Sequence, residues 1–307
     1  MEGTGVEPAE RVMSSGTLRA WIQASRPPFY IATLIPLFIG WIFAKDHDLH
    51  IYRLLLIVLG SFIVHLVTNL ANDYFEHNKE TDSGESIGGS RVIQEGKISP
   101  DTMLKAIAGL YFLAFLIAFI IMFSFNMFVV FPLILFAAFS SFFYVAPPVR
   151  YGYHGLGELF VGINMGPIMV VGTYLVIAGR FDWAPLLASL PVGLMVASIL
   201  YYQSLPDMNT DLAAGKYTLA VKLGKHGAFI GLIVFWILIY ISLLTLILTK
   251  ILSWNGMIFL LSIPVFLRMI QIAKKTEDWV LLDRYGKYVR VLYAINGIAI
   301  ILGIIRF

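Results

Sequence analysis

The chain has 307 residues, of which 59% are hydrophobic and 13% are charged, and its formal net charge is +3. With a mean hydropathy of +0.81, it lies outside the composition of soluble domains and is predicted to be an all-α polytopic membrane protein. The small net charge argues against a nucleic-acid partner. The absence of cysteine excludes disulfides, thiolate nucleophiles and cysteine zinc sites.

Residues 1–27 read as a polar lead-in, and residues 28–307 are expected to form one membrane domain. Apolar runs of about 20 residues, the length that crosses a bilayer core, follow one another along this domain. They predict nine transmembrane helices in one bundle, at 28–45, 52–72, 102–123, 126–146, 155–178, 184–205, 228–249, 251–272 and 289–306.

The positive charges predict the orientation of the bundle. Most of the 22 lysines and arginines fall in the lead-in and in the connections on the same side of the membrane. The positive-inside rule assigns that side to the cytoplasm. The N-terminus and the loops after the second and sixth spans are therefore expected to be cytoplasmic, with those loops capping that side of the bundle.

A polar stretch, Asn69 to Asp82 (NLANDYFEHNKETD), stands where the second apolar run ends. If the helix continues through it, helical periodicity brings five polar side chains to one face, Asn69, Asn72, Asp73, Glu76 and Glu80. Carboxylate and amide oxygens are ligands that suit a hard cation such as Mg²⁺. The stretch is therefore a candidate metal site.

A second acidic pair, Asp207 and Asp211, stands at i, i+4 where the sixth apolar run ends. The predicted topology places it on the same membrane face as the first stretch. Each acidic group is followed by small residues and a cation: Lys79 and Arg91 lie in the loop after the first, and Lys216 after the second. Acid and base on one face indicate a site for an anion bound through a metal.

A diphosphate meets this description, because Mg²⁺ joins protein carboxylates to phosphate oxygens and lysine or arginine supplies further positive charge. A nucleotide is disfavoured, since the sequence has no Walker A pattern. A lipid diphosphate whose tail enters the helix bundle fits the composition better. Loss of an allylic diphosphate leaves a carbocation, which tyrosine and phenylalanine rings stabilise.

The same residues carry a family resemblance. Asn72, Glu76 and Glu80 resemble the N-x-x-x-D-x-x-x-D motif of the UbiA superfamily of intramembrane prenyltransferases, with glutamate at both acidic positions, and Asp82 matches a later aspartate of the menaquinone branch. The stretch from Asp207 through Asp211 to Ala220 resembles the second motif, D-x-x-x-D-x-x-x-G-K-x-T-L-A. Three further segments agree: ASRP before the first span, GGSRVIQEGKIS ending at Ser99, and Gly155–Tyr174.

The resemblance implies Mg²⁺-dependent transfer from a polyprenyl diphosphate to an aromatic acceptor, most like the 1,4-dihydroxy-2-naphthoate prenyltransferases of menaquinone biosynthesis. It implies a multi-pass protein in the lipid of the cell membrane, with the active site facing the cytoplasm. The implied catalytic residues are Asn72, Glu76, Asp207 and Asp211. The candidate metal ligands are Asn72, Asp73, Glu76, Glu80, Asp82, Asp207 and Asp211. The candidate diphosphate-binding residues are Lys79, Arg91 and Lys216.

Two alternatives remain open at this point. Gln203–Pro206 departs from the asparagine and arginine that usually precede the second family motif, which keeps 4-hydroxybenzoate, a chlorophyll-type acceptor or a lipid alcohol in consideration. An ion-coupled transporter with two related halves is the alternative class of function. The position of both acidic groups at one membrane face, with a long Gly/Ser loop between basic residues, favours the enzyme.

Overall fold

The computed structural model describes residues 17–45, 51–79, 89–275, 279, 282 and 286–305. Within these ranges the chain forms twelve α-helices joined by short 3-10 and π segments, and no β-strand. In chain order the helices are α1 (Leu18–Ser25), α2 (Ile31–Phe43), α3 (Ile51–Asn78), α4 (Pro100–Ser124), α5 (Phe131–Phe143), α6 (Gly157–Ile163), α7 (Met169–Ala178), α8 (Trp183–Ser204), α9 (Met208–Ala213), α10 (Leu219–Leu248), α11 (Ile263–Lys275) and α12 (Lys287–Ile304). The predicted all-α class is confirmed for the described residues.

Seven helical segments of the described chain are long and apolar enough to cross a membrane. They are α3, α4, the α6–α7 segment, α8, α10, the segment Trp254–Lys275 and α12. An eighth crossing would join two parts of the chain, Leu18–Phe29 and Ile31–Phe43, which meet at 55°. The apolar segment Phe128–Phe143 is shorter. The multi-pass architecture is confirmed, and the count of nine crossings and their orientation stay predictions.

The bend between α1 and α2 has a local cause. Arg26 adopts a left-handed conformation with φ of 52°, and Pro27 and Pro28 lack the N–H groups that would continue α1. The short α1 begins at a Thr17 cap, whose side chain accepts a hydrogen bond from the Ala20 amide at 3.3 Å. The lead-in therefore ends in a docked helix that packs against the site end of α3.

The α6–α7 segment approaches α8 closely at two glycines. Between α6 and α7 the chain passes through a π turn, Asn164–Ile168, which contains Pro167; such turns accommodate a residue that cannot donate a backbone hydrogen bond. A Cβ atom on Gly166 would lie 2.7 Å from the Cα of Gly193. Small residues allow helices to pack at this distance.

The apolar core is divided unequally within the bundle. Its largest buried cluster joins α2, α8, α10 and α12 and contains Trp236, Tyr201, Tyr202 and Tyr293. Between α3, α4, α5, α6–α7 and α8 an apolar cavity of about 350 Å³ remains. The two acidic groups that the sequence predicts as a metal site lie at the end of the bundle where α3 and α8 end and α4 begins.

Candidate active site

The first acidic group lies on the last two turns of α3. The helix continues to Asn78, as the spacing predicts, and Asn72 and Glu76 line a polar pocket of about 270 Å³. Asp207, Asp211 and Lys216 line the same pocket. The structure therefore brings the two acidic motifs together.

Local geometry places the second group. After α8 ends, Asp207 precedes the short α9, and Asp211 lies one turn later. Gly215 has φ of 69°, a left-handed conformation that glycine adopts without steric cost, and it reverses the chain. The amide of Lys216 then donates to the carbonyl of Asp211 at 2.7 Å, which fixes the lysine beside the carboxylate.

Lys216 connects the two motifs. Its ammonium donates to Oε1 of Glu76 at 2.9 Å and lies 3.4 Å from Oδ1 of Asp211. Burial opposes the charged ammonium, but the carboxylates of Glu76 and Asp211 raise the pKa of Lys216 well above its usual value. Burial raises the pKa of Asp211 to about 7, and this effect is opposed by the charge of Lys216. Acidic groups from both motifs therefore share one positive charge.

Asp73 is not among the described residues that line the pocket. Its carboxylate accepts hydrogen bonds from the side chains of Arg26 and Ser90 and from the Ser90 amide at 3.0 Å. The side chain is only 2% exposed. Gln23 donates to the Ser90 carbonyl at 2.8 Å, which ties the same turn to α1. Asp73 thus joins α3, the α1–α2 bend and the loop before α4.

The other predicted residues lie farther from the pocket or cannot be placed. Lys79 stacks on Tyr153, with its ammonium 3.9 Å from the ring centroid. Its pKa is lowered by burial and then by the charges of Arg150 and Lys216. Of the residues that the structure describes, neither Lys79 nor Arg91 belongs to the pocket wall. The predicted ligands Glu80 and Asp82 lie outside the described residues.

The donor set of the pocket fits Mg²⁺. Within the described ranges, no group of three or more histidine, cysteine, aspartate or glutamate side chains is already gathered as a metal site. However, Oδ1 of Asn72 is buried and has no hydrogen-bond partner in this part of the chain. With the carboxylates of Glu76, Asp207 and Asp211 it lines one pocket, and these oxygen types are those that Mg²⁺ prefers.

The polar pocket adjoins the apolar cavity. Both are lined by the same six residues, Arg26, Phe29, Asn72, Tyr144, Leu200 and Gln203. We did not predict Arg26, Tyr144 or Gln203 as site residues. The signal for Arg26 was its place in the ASRP segment, and for Gln203 its place just before the second acidic pair. The site can therefore hold the charged group of a ligand in the polar pocket and its apolar tail in the cavity.

The chain matches a known protein family over most of its length. The family described as the UbiA prenyltransferase family matches residues 33–280. The chain belongs to this family. It is 29% identical over 266 residues to the 1,4-dihydroxy-2-naphthoate octaprenyltransferase of Haemophilus influenzae, covering 82% of this chain and 85% of the relative. The enzyme of the same name from Bacillus subtilis is 28% identical over 245 residues, with 79% and 78% covered.

The UbiA fold is also seen in a solved structure. A UbiA homologue from Archaeoglobus fulgidus bound to DMAPP and Mg²⁺ superposes with a TM-score of 0.62 at 16% identity, covering 92% of this chain and 99% of that one. At this identity the likeness concerns the fold. It extends over almost the whole chain.

Proposed function

We propose that this UbiA-family protein is an aromatic prenyltransferase, which transfers a polyprenyl group from its diphosphate to 1,4-dihydroxy-2-naphthoate in menaquinone biosynthesis. The observation that carries the proposal is the contact of Lys216 with Glu76 and Asp211. It unites two acidic motifs in one pocket that adjoins an apolar cavity. The naphthoate prenyltransferases that the chain resembles over most of its length support this choice of acceptor.

At the diphosphate end we assign Mg²⁺ to Asn72, Glu76, Asp207 and Asp211, with Glu80 and Asp82 as further predicted ligands. The Mg²⁺ bound by the Archaeoglobus homologue together with DMAPP supports this assignment. When bound, Mg²⁺ neutralises phosphate oxygens and makes the diphosphate a better leaving group. Lys216, Lys79 and Arg91 add positive charge at the same end of the bundle.

For Asp73 we propose a different role from that of the metal ligand predicted from the sequence. Because Arg26 and Ser90 occupy its carboxylate oxygens, we assign it to holding the α1–α2 bend and the loop before α4 in place. Arg26 lines both the polar pocket and the apolar cavity. Asp73 is therefore a positioning residue that acts on the site through Arg26.

The reaction divides between the two ends of the site. The bond between the allylic carbon and the diphosphate oxygen breaks, and pyrophosphate leaves with the electron pair. The ring carbon that bears the carboxylate then bonds to the allylic carbon. The bond between that ring carbon and the carboxylate breaks, its electron pair restores the aromatic ring, and CO₂ leaves. Tyr144, at the junction of pocket and cavity, offers an aromatic face to the cationic carbon.

The membrane arrangement is also part of the proposal. Nine crossings, with the N-terminus in the cytoplasm, would place the polar pocket at the cytoplasmic face of the cell membrane and the apolar cavity within the hydrocarbon region. The charge distribution supports this orientation. A lipid diphosphate could then keep its charged group at the cytoplasmic interface while its tail stays apolar.

The test is prenyl transfer by the purified protein with Mg²⁺, one long prenyl diphosphate and one acceptor in each assay. The acceptors are 1,4-dihydroxy-2-naphthoate, 4-hydroxybenzoate, a chlorophyll-type acceptor and a glycerol phosphate lipid. We expect pyrophosphate release with the naphthoate and none above background with the others. Release with another acceptor and none with the naphthoate would reject the acceptor, and no release with any of them would reject the enzyme.

A further inference from the structure

Near the middle of α3, a histidine belongs to the wall of the apolar cavity. His65 lines this cavity together with Asn69 and Asn72, which follow it on the same helical face at i+4 and i+7. The rise of an α-helix places His65 about 10 Å from Asn72 along the axis. A row of polar side chains therefore runs from the polar pocket into the cavity.

The ring of His65 is held by two residues of the preceding helical segment. Nδ1 lies 2.5 Å from the hydroxyl oxygen of Thr33, and the ring of Tyr30 packs edge-on against it, with centroids 6.0 Å apart. Thr33 is fully buried. These contacts fix the direction of the imidazole.

The Thr33 contact also determines the tautomer. In the described part of the chain, Nδ1 of His65 is the one acceptor within reach of the Thr33 hydroxyl, and a buried hydroxyl hydrogen without an acceptor is costly. Thr33 therefore donates to Nδ1, and the ring hydrogen is carried by Nε2. Because the ring is part of the cavity wall, Nε2–H is a fixed donor available to a bound molecule.

A prenyl tail has no oxygen, so it cannot accept a hydrogen bond from Nε2–H. A polar group in a membrane span usually marks a functional position, and a helix-to-helix hydrogen bond accounts only for the Nδ1 side of this ring. We propose that His65, oriented by Thr33, donates a hydrogen bond from Nε2 to a hydroxyl oxygen of the aromatic acceptor. This inference rests on the proposed function, and it places the acceptor ring between Asn72 and His65.

The experiment measures acceptor binding, not turnover. The full-length purified protein, with Mg²⁺ and an unreactive thiodiphosphate analogue of the prenyl donor, is titrated under argon with 1,4-dihydroxy-2-naphthoate. The same titration uses 1-hydroxy-2-naphthoate and 4-hydroxy-2-naphthoate, each of which lacks one hydroxyl. His65→Leu removes the donor, His65→Gln retains an N–H donor, and Thr33→Val removes the orienting hydroxyl. His226→Leu, at an exposed position of α10, is the matched control.

His65→Leu is expected to raise the Kd of the dihydroxy acceptor about ten-fold and to leave the affinity for the donor analogue unchanged, which also shows that the variant is folded. One of the monohydroxy acids should bind equally well to wild type and to His65→Leu. His65→Gln should restore part of the affinity, and Thr33→Val should lose an intermediate amount. If wild type and His65→Leu bind the naphthoate equally tightly, this inference alone is overturned. The same holds if the substitution lowers only the affinity for the donor analogue. A wild-type protein that binds no naphthoate overturns the proposed function with it.

Discussion

The ammonium of Lys216 lies 2.9 Å from a carboxylate oxygen of Glu76, 140 positions earlier in the chain. A charge-assisted hydrogen bond from this ammonium to a phosphate oxygen would be worth about 1.5–3 kcal/mol. Lys216→Met should therefore raise the KM for the prenyl diphosphate by roughly 10- to 100-fold, with a smaller change for the acceptor. Steady-state kinetics with each substrate varied in turn measure the effect.

The matched control is Lys222→Met. Lys222 belongs to the same positively charged end, but its ammonium donates to the carbonyl of His154 at 2.6 Å. It should leave the KM for the diphosphate almost unchanged. Equal effects of the two substitutions would mean that general positive charge at this end of the bundle, not the ammonium of Lys216 in the pocket, binds the diphosphate.

The carboxylates of the pocket should control the response to Mg²⁺. Glu76→Gln and Asp211→Asn each remove a negative charge that faces the pocket, so we expect kcat at saturating Mg²⁺ to fall at least about 100-fold. The Mg²⁺ concentration at half-maximal rate should rise in each variant. Asp101→Asn, in the exposed first turn of α4, is the control. Full activity of both pocket variants in excess chelator would remove the metal from the proposal.

Asp73→Asn should behave differently from Asp211→Asn. Breaking a buried ion pair while its partner stays in place is costly, so we expect the free energy of unfolding to fall by about 3 kcal/mol, seen as a lower Tm in detergent. The Mg²⁺ concentration at half-maximal rate should stay close to that of wild type. A large rise in that concentration with an unchanged Tm would return Asp73 to the metal ligands.

Cysteine accessibility tests the orientation of the bundle. Single cysteines at Glu95 and Ala213 lie at exposed positions on the site end, and one at Arg180 is exposed at the opposite end. We expect a membrane-impermeant maleimide to label Arg180→Cys in intact cells, and the other two only after the cells are opened. The reverse pattern would place the pocket outside the cell.

Much of this arrangement is predictable from local pattern. Helical spacing predicted that Asn72 and Glu76 share a face, and α3 does continue through both. Ser99 is a typical helix cap before proline, and its hydroxyl accepts from the Thr102 amide at 3.2 Å at the start of α4. Such features depend on a few neighbouring residues, so one stretch of sequence specifies them.

Other features depend on contacts between distant segments. Asp73 has the same spacing as a ligand, but Arg26, 47 positions away, determines the direction in which its carboxylate is held. Hydropathy also predicted residues 28–45 and 126–146 as simple spans. The first, however, belongs to a pair of helical segments that meet at 55°, and the second includes a 3-10 turn before α5. Proline and left-handed residues set these bends, and an average of hydropathy does not record them.

The most direct test of the central claim follows the carboxylate carbon of the acceptor. The purified protein is given Mg²⁺, a long prenyl diphosphate and 1,4-dihydroxy-2-naphthoate labelled with ¹³C at the carboxylate, and the CO₂, pyrophosphate and product mass are measured together. The proposed function predicts that labelled CO₂ and pyrophosphate are released in equal amounts, with a prenylated naphthalenediol that has lost the label. Pyrophosphate release with the label retained, or labelled CO₂ without a prenylated product, would contradict it.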